Sequence, residues 1–476
     1  MTATNRISLK KSFLIGVLVL FASVVWGAPN GASETLALAR VEVVGRLDEI
    51  RLPIYAHLMD AASHDYAVVM AYPSELKQYG ARVRILDSNA QGGSFFVATS
   101  KRKGMRPSVA GLARSLHDDG RHRILRANPA RTDDLVAAGL DLKRLDNPMV
   151  LTTPQAPLVA TPAWDPQIQL MVGETNRFAL FERLGNLSGE TVIPIGSTTC
   201  TLTTRNTNSG TPIQNAMQYV YECLQHMGLS VSYHNWTYVY SGQNVVATKI
   251  GSTRPDEIVL VTAHLDDMPA SGAAPGADDN ASGCVAVLTA ANVFSRRSFE
   301  RTVRFVLFTG EEQGLLGSEI YAEDLYNEGE NIVAVYNMDM IAWDASGLPV
   351  FQTRTRPSSN PGYSADMQIA SLVSFVVTQY GLSGALTPEI VSDGLSASDH
   401  ASFWDYGYAA VNASEDYNGD FSDYYHTSSD RRSTLNLDYF HAAVKASIGV
   451  VAHLAIPIPA EEGPMGVSDR IWRRID

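Results

Sequence analysis

Four apolar, strand-length runs in this chain each end within a few residues of a side chain that can bind a metal or move a proton. Glu257-Ile-Val-Leu-Val-Thr-Ala263 is followed by His264, and Arg301-Thr-Val-Arg-Phe-Val-Leu-Phe-Thr309 by Glu311-Glu312. Asn331-Ile-Val-Ala-Val-Tyr336 is followed by Asp339, and Tyr408-Ala-Ala-Val-Asn412 by Glu415. Runs this continuously apolar belong to strands covered on both faces, and segments with helical spacing (212–224, 282–297, 438–454) lie before, between and after them. That alternation predicts an α/β protein, a three-layer sandwich around a mixed, largely parallel sheet. In open sheets of this kind ligands collect outside the carboxyl ends of the strands. Four separate run ends can therefore meet on one rim.

The segment Pro275-Gly-Ala-Asp-Asp-Asn-Ala-Ser-Gly283 packs two acids and an Asn among small residues. So much negative charge in one turn is unfavourable unless a cation or several donors lie nearby. Downstream, His426 sits in the polar stretch Asp423-Tyr-Tyr-His-Thr-Ser-Ser-Asp430. Singly, each candidate has an ordinary reading: a helix-capping acid pair, a strand-end histidine, a loop acid. Together, two histidines and three carboxylates match what a pair of zinc ions needs, each ion taking about four N or O ligands. Two such ions ~3.5–4 Å apart require a bridging carboxylate. Asp279, carried on the turn, is the natural bridge. One of Glu311 and Glu312 can then face the metal while the other serves as general base.

Several motifs closely resemble those of the M28 family of zinc aminopeptidases: Ala263-His-Leu-Asp-Asp267, Pro275 to Gly283, Thr309-Gly-Glu-Glu-Gln-Gly-Leu-Leu-Gly-Ser318, Asn337-Met-Asp-Met340, Ser398-Asp-His400 and His426-Thr-Ser-Ser-Asp430. They span roughly residues 200 to 455 in family order, and the set is similar to that of secreted bacterial leucyl aminopeptidases. The resemblance implies a fold of the zinc-dependent exopeptidase type. It implies His264 and Asp339 on one zinc, Glu312 and His426 on the other, and Asp279 bridging. Glu311 would take a proton from a metal-bound water and pass it to the leaving amine, and Asp266 would orient His264. A cis peptide is implied at Asp279–Asn280.

Some positions depart from familiar members. Leu395 stands where one group has Tyr, and Asp393 and Ala397 replace its flanking disulfide. Tyr425 matches a Tyr that polarises the scissile carbonyl in another group, and Met340 would line the pocket for the substrate's first side chain. The implied reaction is removal of an N-terminal residue, of large apolar (Leu) type, from peptides with a free N-terminus. Two alternatives are a glutaminyl-peptide cyclotransferase of the same fold, with one zinc, and a non-catalytic binding relative.

The remainder of the 476-residue chain concerns address and organisation. Arg6, Lys10 and Lys11 precede the apolar stretch Phe13 to Trp26, the pattern of a signal peptide over 1–28 and too short to span a bilayer comfortably. A secreted or periplasmic protein without stable membrane association is expected. A net charge of −13 argues against nucleic-acid partners. Nine Lys/Arg against two acids between Lys101 and Arg131 fit a basic segment lying against an acidic partner domain. Five prolines between Asn147 and Pro166 mark a linker. The expected plan is thus a small α+β propeptide-like domain over 29–146, a linker over 147–166, the M28-like catalytic domain over 167–457 and a tail over 458–476, the whole a monomer. Of three cysteines, Cys200 and Cys223 are the expected disulfide, and Cys284 a buried thiol.

Overall fold

The computed structural model describes residues 34–100, 105–152 and 161–459. The expected leader (1–28), part of the basic stretch, the middle of the linker and nearly all of the tail fall outside them.

The strand Arg254–His264 shows how the sequence builds the sheet. Val259, Val261 and Ala263 join one core cluster, while Ile258 and Leu260 join another on the opposite face. Successive side chains of a strand point to opposite faces, so a run without polar residues must be covered on both. Helices Thr211–His226, Gly283–Ser295, Tyr363–Gln379 and Leu437–Ala455 supply the larger cover. Leu316–Glu328 and His400–Asp405 supply the smaller one. This is the expected three-layer sandwich.

The sheet has eight strands. Their spatial order is Ser230–Thr237, Ser241–Lys249, Arg301–Phe308, Arg254–His264, Ile332–Met338, Ala410–Ser414, Val350–Arg354, Thr387–Val391. Arg254–His264 runs parallel to both neighbours, and Ile332–Met338 parallel to Ala410–Ser414. Registers such as His264↔Phe308, Thr262↔Asn337 and Asn337↔Asn412 bring the carboxyl ends of four central strands level. Antiparallel pairing is confined to the flanks.

The N-terminal part carries two four-stranded antiparallel sheets with their own apolar clusters. The expected strands near Tyr66 and Val83 are present as Asp65–Ala71 and Val83–Asp87. This part belongs to the same compact unit as the large sheet, which begins at Thr35. Lys143 Nζ meets the Asp405 carboxylate at 2.6 and 2.7 Å in a buried pair. The described end of the expected linker is tied down: Met149 N–H donates to Ile54 O, and Val150 N–H to Asp405 O.

The Cys200–Cys223 disulfide is absent: all three cysteines are free thiols, Cys200 on a short strand and Cys223 on a helix packed against the core. No helix among the described residues is long and apolar enough to cross a membrane.

Candidate metal centre and catalytic rim

His264 is the last residue of its strand, Glu311 and Glu312 lie just past the end of theirs, and Asp339 follows Met338, the last residue of its own. Parallel alignment places all of them on one rim. Asp279 reaches the same place from the turn before helix Gly283–Ser295. There Gly276 adopts φ +46°, and a Cβ on it would lie 2.3 Å from Asp279 O. A side chain at that position would push the turn away from the site.

The two oxygens of Asp279 face different histidines. Oδ1 lies 3.2 Å from His264 Nε2, and Oδ2 lies 2.7 Å from His426 Nε2. Each histidine has a second carboxylate of its own: Asp339 Oδ1 at 3.2 Å from His264, and Glu312 Oε2 at 2.9 Å from His426. The result is two half-sites sharing one carboxylate, all nearly buried. Ligand atoms of His264, Asp279 and Glu312 all fall within 4.8 Å of one another, close enough to hold one ion. The donor set of two imidazoles and three carboxylates suits zinc. The peptide Asp279–Asn280 is cis, as the resemblance implied.

Electrostatics reflects this crowding. Burial opposes charge on His264, yet the carboxylates of Asp339 and Glu311 hold its imidazole well above the usual range. Burial also acts against ionised Asp279, but His426 and His264 keep that carboxyl well below its ordinary value. Glu311 is pushed well above the carboxylate range by burial, with Glu312, Asp399 and Asp339 adding repulsion against the opposing pull of His264. A group so poised accepts a proton readily, as a general base must.

Asp266 contacts both His264 and the glutamate turn. His264 Nδ1 lies 3.1 Å from the Asp266 main-chain carbonyl and 3.7 Å from its carboxylate. The carboxylate also accepts from Glu311 N–H, Glu312 N–H and the Thr207 hydroxyl. It therefore braces the turn carrying the two glutamates. Tyr425 stacks on His426 with ring centroids 3.8 Å apart, and its hydroxyl donates to Asp141 of the N-terminal part at 2.8 Å. Burial and Asp141 raise its phenol well above the usual range. Asp393 pairs with Arg354 at 2.8 Å and accepts from Leu395 N–H. Met340, buried at φ +54°, follows Asp339 directly.

Further groups support the rim, and of these the sequence left Asp430 and Arg205 without a role. Asp430 accepts the N–H groups of Asp278 and Asp279 at 3.0 Å, tying the His426 loop to the bridging turn. Asp278 accepts from Ala342 N–H and shares a hydrogen bond with Glu415. Burial raises Asp278 to about 7 and Glu415 well above the usual range, so one proton between the two carboxyls relieves their repulsion. Arg205 is fully buried and spans several of these loops. Neither Asp430 nor Arg205 carries a local signal, because the groups they hold lie far away in sequence.

Residues 244–451 match the family model described as Peptidase family M28. A probable leucine aminopeptidase of Arthroderma otae is 28% identical over 288 residues, covering 57% of this chain and 74% of the relative. Leucine aminopeptidase 1 of Trichophyton equinum is 33% identical over 230 residues, covering 44% of this chain and 58% of the relative. The chain thus spans about three quarters of one such relative and little over half of the other. Among solved structures, the Legionella pneumophila LapA aminopeptidase superposes with a TM-score of 0.58 at 17% identity, covering 77% of this chain and 99% of that one. LapB from the same organism gives 0.59 at 17% identity, covering 76% and 99%. At that identity the likeness establishes the fold.

Proposed function

Residues 244–451 form a peptidase domain of family M28, and from that premise we propose that the chain is a dizinc aminopeptidase releasing a large apolar N-terminal residue from peptides. The observation that carries this reading is the division of Asp279 between two histidines, each with its own additional carboxylate. His264, Asp339 and Asp279 would hold one ion, and Glu312, His426 and Asp279 the other. Such a pair supplies Lewis acidity toward the scissile carbonyl and acidifies a water. Glu311 takes a proton from the attacking water and returns it to the leaving amine as the C–N bond breaks. Asp266 keeps Glu311 and Glu312 in place through their N–H groups.

The N-terminal part, in this reading, travels behind a signal peptide into the periplasm or medium and covers the rim until the linker is cut. Supporting contacts are Asp141 on Tyr425, Asp133 on Gln313 and Asn208, and the Lys143–Asp405 pair.

A panel of aminoacyl anilides, run with and without chelator alongside zinc analysis of the protein, tests the assignment. Two zincs per chain, chelator-sensitive leucyl-anilide hydrolysis and no action on N-acetylated peptides are expected. One zinc per chain, with ring closure of N-terminal Gln and no released amino acid, would replace the assignment with a cyclotransferase.

A further inference from the structure

Between the strand Thr198–Cys200 and the helix Thr211–His226 the chain passes through Thr203-Thr-Arg-Asn-Thr207, upstream of the stretch that matches the peptidase family. Its sequence looks like an ordinary polar loop, yet Arg205 and Asn206 are buried and Thr207 nearly so. The Arg205 guanidinium reaches four carbonyls. Nε donates to Leu265 O at 2.7 Å, Nη1 to Leu187 O at 2.5 Å and Pro275 O at 2.8 Å, and Nη2 to Gly276 O at 3.0 Å. Nη1 also lies 3.2 Å from Asp267 Oδ2, and Asp267 Oδ1 accepts the Arg205 N–H at 2.8 Å. Asn206 Nδ2 donates to Asp267 O, and Thr203 O accepts from Ala274 N–H. Two residues further on, the Thr207 hydroxyl donates to Asp266 Oδ2 at 2.8 Å and accepts from Gly310 N–H at 2.9 Å.

The ends of these bonds are not scattered through the core. Leu265 follows His264, while Pro275 and Gly276 lead into Asp279. Asp266 and Gly310 hold the turn carrying Glu311 and Glu312. One short segment therefore touches the loops that bear ligands of both half-sites. Burying a guanidinium completely is costly unless each donor finds a partner. A fork of five N–H donors can serve several carbonyls at once, which an ammonium on a flexible stem cannot.

We propose that residues 203–207 are a strap that positions the metal centre, with Arg205 setting the spacing between the His264 loop and the Asp279 turn, and Thr207 setting the glutamate turn. The strap holds the ligand atoms in their bound arrangement, so its loss weakens zinc binding beyond any general loss of stability. This inference rests on the dizinc reading above.

The test is a zinc competition titration against a chromophoric chelator on full-length wild-type, Arg205→Lys and Thr207→Val proteins. Melting temperatures are read on the same samples, both metal-free and zinc-loaded. Each variant should bind zinc ~10–100-fold more weakly, the range typical of lost outer partners of metal ligands. Zinc should also raise its melting temperature less than it raises that of the wild type. Thr207→Val keeps the side-chain shape, so it carries the test should Arg205→Lys fail to fold. Variants that bind zinc within twofold of wild type, even if their metal-free melting temperature falls, would make the strap merely structural and overturn the proposal while leaving the peptidase reading intact. A wild-type chain that takes up no zinc would remove both.

Discussion

Replacing Asp141 by Ala tests how the N-terminal part governs the site. Asp141 lies on the strand Leu140–Arg144, and its carboxylate accepts the Tyr425 hydroxyl at 2.8 Å directly beside His426. A buried hydrogen bond to a charged group contributes ~1.5–3 kcal/mol, and each 1.4 kcal/mol is a factor of ten in an equilibrium. Contacts through Asp133 and Lys143 remain, so the cover is weakened rather than lost. If the covered state predominates, Asp141→Ala should raise the open fraction, and the leucyl-anilide rate at low substrate, ~10–100-fold. The ceiling is the rate of protein cut within the linker. Initial rates of intact wild type, intact Asp141→Ala and cut wild type, all zinc-loaded, measure this. An intact variant no faster than intact wild type, beside a fast cut enzyme, would refute the role of Asp141. Equal rates for intact and cut wild type would show that the N-terminal part does not restrain the site at all.

Glu311→Gln should lower kcat ~10²–10⁴-fold, the usual contribution of a general base, with zinc content unchanged; an unaltered rate would rule Glu311 out as the base. Lys143→Met leaves the buried Asp405 carboxylate without its cation, beside Glu319, which burial and Asp405 together raise to about 8. Urea denaturation should show a loss of ~3–5 kcal/mol, largely recovered when Asp405→Leu is added. A loss below ~1 kcal/mol would mean that the pair behaves as an exposed one. His453 is held neutral by burial, its imidazole lowered from 6.5 to about 4. Between those values the unfolded chain binds a proton that the folded chain refuses. Stability is therefore flat above pH 6.5 on this account and falls as pH drops toward 4, by at most ~3 kcal/mol. His453→Gln should flatten the difference between urea midpoints at pH 7 and pH 5, and an unchanged difference would contradict the linkage.

Much of the site was legible because its chemistry is tied to secondary structure. His264, Glu311, Glu312 and Asp339 each end or follow an apolar run, and parallel strands bring such ends together whatever the loops do. The strands Ser230–Thr237, Val350–Arg354 and Thr387–Val391 were not legible. Ser230–Thr237 and Thr387–Val391 are edge strands that stay partly exposed, while Val350–Arg354 is buried but carries Gln352 and Arg354, paired inside the protein, so none of the three requires a continuous apolar run. The second task of the Asp266 carboxylate, bracing the glutamate turn through the Glu311 and Glu312 N–H groups, was not legible, because those partners lie 45 and 46 residues away.

The sequence by itself determined the layered α/β fold and which residue types meet at the strand ends, since both follow from periodicity and local order along the chain. Only the tertiary structure decided how the Asp279 oxygens are divided, that Asp430 and Arg205 hold the loops, and that Asp141 reaches Tyr425. The Asp430 and Tyr425 contacts join segments 151 and 284 residues apart. Their partners are main-chain groups or single side chains, which impose no pattern on the intervening sequence.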